Sequence, residues 1–199
     1  MGSQAYWTAM PLLQILVVST RQGRKGPAVG TWFEQQARAH GAFDVEVVDL
    51  AAVALPLFDE PDHPRLRNYR HAHTKAWSET VSRADAFVFV TPEYNHAPAP
   101  SLLNAIDYLV HEWAYKPVGF VSYGGVSAGL RAVQPVKAML CGLRMVPVSE
   151  YVAIPMFTSH IDEAGTFTSS AVIDASAAAM LTEIARLEGV LRALRVPSS

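Results

Sequence analysis

The sequence predicts an α/β fold in which a five-stranded parallel sheet lies between two layers of helices. Apolar, β-branched runs alternate with segments of helical spacing five times along the chain, and the connections between them are short. The run Phe87-Val88-Phe89-Val90 is apolar at every position, the pattern of a strand covered on both faces. The chain has 199 residues, half of them apolar and 17% charged, which fills one core and is short for two domains.

Residues 12–19 read as the first strand, which stops at the polar loop Thr20-Arg21-Gln22-Gly23-Arg24-Lys25-Gly26. Pro27 has the fixed φ of an opening helical turn, and Val29, Trp32, Phe33 and Ala37 follow at helical spacing up to Gly41. A short second strand is expected at 45–48. Pro56, Pro61 and Pro64 deny regular structure before a polar helix near 69–83. The third strand, 87–90, leads into a loop stiffened by Pro92, Pro98 and Pro100, then a helix over 101–111. Strand four is 117–122, followed by Tyr123-Gly124-Gly125-Val126-Ser127 and a helix to about Leu140. Strand five is expected at 146–154 and a long closing helix at 173–194. Residues 1–10 are expected as an arm and 11–199 as a single domain. On the helix near 101–111, the face of Ile106, Leu109 and Trp113 suits either the core or a partner subunit, with the partner slightly favoured.

Five such units favour the strand order 2-1-3-4-5, the flavodoxin-like three-layer α/β/α arrangement, over the six-stranded dinucleotide fold. In either order ligands sit beyond the carboxyl ends of the strands, so the loops after strands one, three and four matter most.

Composition narrows the partners. With 16 Lys and Arg against 18 Asp and Glu, the net charge of −2 gives no polybasic field for nucleic acid or an anionic bilayer. The apolar stretch 11–18 is broken by Gln14 and has no basic segment before it, so neither a secretory signal nor a membrane span is expected. A single cysteine, Cys141, excludes an intrachain disulfide and suits a reducing compartment, so a cytoplasmic location is expected. His71 and His73, two apart on a helix, should face different ways and are assigned no metal.

The loop after strand one has the makings of an anion site. A helix amino terminus offers unpaired N–H groups and about half a positive charge, and Arg21, Arg24 and Lys25 gather just before it. Ser19 adds a hydroxyl, and Gly23 and Gly26 let the backbone bend close, which together read as a phosphate cradle. The loop matches neither G-x-G-x-x-G nor G-x-x-x-x-G-K-[ST], which disfavours an adenine dinucleotide or a triphosphate held in those ways. Beyond strand three, the loop held stiff between Pro92 and Pro98 lets Asn95 and the small Ala97 bring main chain close to a flat heterocycle, and Glu93 and Tyr94 bracket the site. After strand four, Tyr123 offers a ring for stacking, and Gly124 and Gly125 suit backbone donors aimed at a ring carbonyl.

Taken together, Ser19-Thr20-Arg21-Gln22-Gly23-Arg24, Pro92-Glu93-Tyr94-Asn95, Asn104-Ala105-Ile106-Asp107-Tyr108 and Tyr123-Gly124-Gly125 resemble the NADPH-dependent FMN reductase family. These flavodoxin-fold enzymes include azo, quinone and chromate reductases, and the resemblance spans residues 12–154. It implies FMN bound noncovalently, with its phosphate near Ser19, Arg21 and Arg24 and its ring edge near Pro92 to Asn95 and Gly124 to Gly125. It also implies NADPH or NADH as cosubstrate, a small electron acceptor, and a dimer or tetramer. Three positions depart from the family pattern: Val18 stands for a glycine, Pro100 for a glycine and Leu103 for a lysine. Flavin carries the redox chemistry itself, so no catalytic side chain is assigned. The rival readings are a noncatalytic flavin-binding electron carrier or sensor, and a receiver-type domain, which lacks its acidic cluster here because Ser19 and Thr20 stand in its place.

Overall fold

Residues 10–195 are described by the computed structural model, so the expected arm, apart from Met10, lies outside the described residues. Strand β1 (Leu12–Val17) pairs in parallel with β2 (Asp44–Asp49) on one side and β3 (Ala86–Pro92) on the other. Strand β4 (Pro117–Tyr123) continues the sheet beyond β3, giving the order β2-β1-β3-β4-β5 that the sequence predicts. The register sets Val17 beside Asp49, and Pro92 beside Tyr123, so the loops that leave these strands start side by side.

The fifth position differs from expectation. Two short strands, β5 (Val146–Pro147) and β6 (Val152–Ile154), both pair with β4 in place of one strand over 146–154. Val118 pairs with Pro147 and Val121 with Val152, so three steps along β4 face five along the edge. The two surplus residues leave the ladder near Ser149, just after a proline that has no N–H to donate.

Alternation along the central strands sends side chains to two buried clusters. Leu16, Phe87 and Phe89 face one side with Trp77, Ile106, Leu109 and Trp113. Ile15, Val88 and Val90 face the other, with Val29 and Phe33 of α1 (Gly26–His40). Ile106, Leu109 and Trp113 are fully buried within their own chain, which overturns the partner-facing expectation for them. Truncating such a residue costs about 2–5 kcal/mol, so this face is fixed by core packing.

After β2, the short α2 (Leu50–Val53) precedes a proline-rich stretch and α3 (Ala72–Arg83). His71 is the N-cap of α3 rather than part of it, so its ring stacks on that of His73 at 5.1 Å and 9°, contrary to the expectation that the two diverge. Helix α4 (Pro100–Asp107) ends four residues earlier than expected, and α5 (Leu130–Gly142) follows β4. The closing α6 (Ala171–Leu191) is capped by Ser170, whose hydroxyl accepts from the Ile173 N–H. No helix among the described residues is long and apolar enough to cross a membrane.

Candidate functional site

At the carboxyl ends of β1, β3 and β4 a cleft of about 700 Å³ opens. Ser19, Arg21, Arg24, Lys25, Pro92, Glu93, Tyr94, Asn95, Tyr123, Gly124 and Gly125 line it, joined by Pro100 and Phe157. The cleft thus gathers the side chains and ring-edge residues singled out from the sequence but neither Gly23 nor Gly26, and Gly26 sits against Ser19 and Tyr123 and opens α1. A Cβ at Gly26 would lie 2.3 Å from Ser19 Oγ and 2.6 Å from the Tyr123 hydroxyl, so only glycine brings the helix start this close.

One end of the cleft is built for negative charge. The Ser19 and Tyr123 hydroxyls are buried side by side and have no hydrogen-bond partner beyond each other among the described residues. Burial pushes the Tyr123 phenol up to about 12, which keeps it protonated as a donor. No side chain caps α1 and no acidic residue occupies its first turn, so its amino-terminal partial charge is uncompensated by carboxylates. Arg21 and Lys25 are exposed beside it and form no ion pair within the described residues.

Arg24 behaves differently from its neighbours. Both of its terminal nitrogens donate to the Asp49 carboxylate at 2.6 Å, and Nη1 also donates to the Ser19 carbonyl at 2.9 Å. The bidentate hydrogen bond raises the Arg24 pKa and, seen from its partner, holds Asp49 below the usual carboxylate range. Arg24 therefore braces the loop. Sequence reading missed Asp49 because the pairing depends on the β1–β2 register, which sets Asp49 beside the end of β1. The Val18 departure is absorbed as well: its side chain joins the buried core, and its carbonyl accepts from Ser101 Oγ at 2.6 Å. Leu103 packs partly buried against the same cluster, and Pro100 opens α4 at the cleft wall.

The other end is shaped by two loops. Tyr94 and Ala97 exchange backbone hydrogen bonds of 3.1 and 2.9 Å around Asn95 and His96, whose φ values of 50° and 66° are both left-handed. Asn and His are among the non-glycine residues that accept this region, so a closed hairpin, and not proline alone, sets this loop's shape. After β4, the Gly124 N–H donates to the Ile154 carbonyl at 3.2 Å, which removes it from the donors expected for a ligand. The Gly125 N–H has no partner among the described residues and remains available. Gly129, missed by sequence reading, adopts φ 81° where a Cβ would lie 2.9 Å from Tyr123 backbone atoms. Phe157, from beyond β6, adds a ring 5.0 Å from that of Tyr123.

The Glu93 carboxylate is directed at the start of α5 and is 6% exposed. It accepts from Ser127 Oγ at 2.9 Å and from the Arg131 backbone N–H and Nε at 3.2 and 2.7 Å. Burial opposes its ionisation, but these donors prevail and hold it below the ordinary range for glutamate.

The arrangement joins an anion-binding end to a slot bordered by the 94–97 hairpin and the unpartnered Gly125 N–H, the form of a site for a flat ring carrying a phosphate. Comparison with known proteins agrees. An NAD(P)H-dependent FMN reductase of Schizosaccharomyces pombe is 37% identical over 164 residues, covering 79% of this chain and 82% of that protein. One from Saccharomyces cerevisiae is 38% identical over 126 residues, 60% of this chain and 65% of its own. Among solved structures, the flavoenzyme NAD(P)H:(acceptor) oxidoreductase of Paracoccus denitrificans shares the fold, with a TM-score of 0.68 at 18% identity over 92% of this chain and 98% of that one. A family model described as NADPH-dependent FMN reductase matches residues 11–159. The chain belongs to that family, as an oxidoreductase with FMN as its flavin and NAD(P)H as its electron donor.

Proposed function

We propose that this protein oxidises NADPH or NADH and reduces a small acceptor, such as a quinone, an azo compound, free flavin or a metal oxyanion, at the cleft described above. The observation that carries the reading is the buried hydroxyl pair of Ser19 and Tyr123, with no partner beyond each other, beside an uncapped helix start. When one hydroxyl donates to the other, one buried O–H is still left without an acceptor, at about 1–3 kcal/mol, and a phosphate monoester supplies acceptors for both. The residues present therefore fit the FMN phosphate.

FMN, when bound, supplies hydride acceptance and the return of electrons to an acceptor. Ser19 and Tyr123 would hold the phosphate, and the exposed Arg21 and Lys25 would neutralise its charge from the solvent side. Arg24 and Asp49 hold the loop that presents those groups. At the far end, the 94–97 hairpin orients the ring plane. The Gly125 N–H, without a partner among the described residues, would serve as a fixed donor to negative charge on a bound flavin ring. His96 is exposed on the hairpin and is given no catalytic role.

We extend the reading to a dimer or tetramer in the cytoplasm; Cys141, exposed and unpaired, suits a reducing compartment. The test is anaerobic: flavin-loaded protein is mixed with NADPH or NADH, and a simple quinone is then added. Bleaching of the visible flavin band followed by full recovery and steady nucleotide consumption is expected. A flavin band that neither nucleotide bleaches contradicts the reading.

A further inference from the structure

We propose that Glu93 is a positioning residue that acts through Ser127 and Arg131 to fix the spacing of the two loops that enclose the flavin ring. The proposal rests on the flavin reading of the cleft and adds a role for a carboxylate whose two oxygens are taken up by Ser127 and Arg131. Glu93 is the first residue after β3, and Ser127 and Arg131 lie in the loop after β4 and the first turn of α5. Pro92 and Tyr123 are register partners, so the sheet sets where both loops start but not how far their tips diverge.

The Glu93 carboxylate closes that gap. Oε2 accepts from Ser127 Oγ at 2.9 Å and from the Arg131 N–H at 3.2 Å, while Oε1 accepts from Arg131 Nε at 2.7 Å. Arg131 Nη2 also donates to Ser127 Oγ at 3.0 Å, which closes the network. The carboxylate is nearly buried, and a buried charge with several donors holds one geometry because each alternative leaves an ion without partners. One side of the clamp carries the 94–97 hairpin, with Asn95 and His96 both left-handed. On the other side the free Gly125 N–H precedes Ser127 by two residues. Loosening the clamp lets the hairpin relax and moves the Gly125 donor away from the ring, so affinity and flavin potential change together.

The test compares Glu93→Ala, Glu93→Gln, Ser127→Ala, Arg131→Ala and the Glu93→Ala/Arg131→Ala pair. It measures FMN dissociation constants on apoprotein, flavin midpoint potential on the loaded protein, and apoprotein melting temperature. Glu93→Ala is expected to weaken FMN binding about tenfold or more and to shift the potential. Adding Arg131→Ala should cost little further, because the two act as one unit. Glu93→Gln, which keeps two acceptor lone pairs, should recover much of the affinity, and Ser127→Ala, a milder change, should give a smaller loss in the same direction. Additive losses, or a lowered melting temperature with unchanged affinity and potential, overturn the positioning role. Failure of the wild-type protein to bind FMN would instead overturn the flavin reading.

Discussion

Arg21 and Arg24 stand three residues apart in one basic loop, yet the geometry gives them separate tasks. Arg24 is committed to Asp49 and the Ser19 carbonyl, whereas Arg21 faces the cleft without an ion-pair partner. Arg21→Ala should remove a direct charge-assisted bond and weaken FMN retention by about tenfold to a hundredfold, with hydride transfer in the flavin-saturated enzyme nearly unchanged. Arg24→Ala should act through loop order, and Asp49→Ala should reproduce it. Equilibrium titration and single-turnover reduction of the three variants check this; an Asp49→Ala protein with wild-type affinity would contradict the brace. The basic loop was legible as an anion site because three cations and two glycines fall within six residues. The division of labour was not legible, since Asp49 reaches Arg24 only through strand pairing 25 residues away in sequence.

At the scale of elements, one buried cation links the sheet to a helix end far from the cleft. Lys116, just before β4, is 6% exposed, donates from Nζ to the Val81 carbonyl at 2.8 Å and to the Ser82 carbonyl at 3.2 Å, and lies over the Phe87 ring. Burial lowers its pKa to about 7, with Arg195 acting in the same direction and Asp85 and Glu112 against it. Because the folded pKa lies below the unfolded one, the unfolded chain binds more protons between pH 7 and the ordinary lysine range. Stability from this group therefore rises with pH through that window, with a slope approaching about 1.4 kcal/mol per pH unit. Denaturant unfolding at pH 7 to 9.5 should show the rise, and Lys116→Met should flatten it; an equal slope in the variant would contradict the assignment. Strands β1 to β4 were readable because continuous or alternating apolarity marks them directly. The split of the fifth position was not, because the surplus residues appear only when the edge is laid against β4. The hairpin at 94–97 escaped for a similar reason: neither central residue is glycine, so the usual turn signal is missing.

The molecule as a whole brings three loops, separated by tens of residues, to one cleft through a single parallel sheet. Strand order and the rule that ligands gather at carboxyl ends were enough to nominate those loops from sequence. What the sequence withheld is the bracing behind them: Asp49 behind the phosphate loop, the Ser127 and Arg131 anchors of Glu93, and Gly129 beneath Tyr123. Each depends on register or on a left-handed backbone, neither of which has a local signature. The cleft's central feature is its grip on a dianion at the β1–α1 turn. Parallel titrations of the apoprotein with FMN and with riboflavin, which has the same ring and no phosphate, isolate that grip. FMN binding tighter by about a hundredfold or more is the expected result, whereas equal affinity for the two flavins would contradict it.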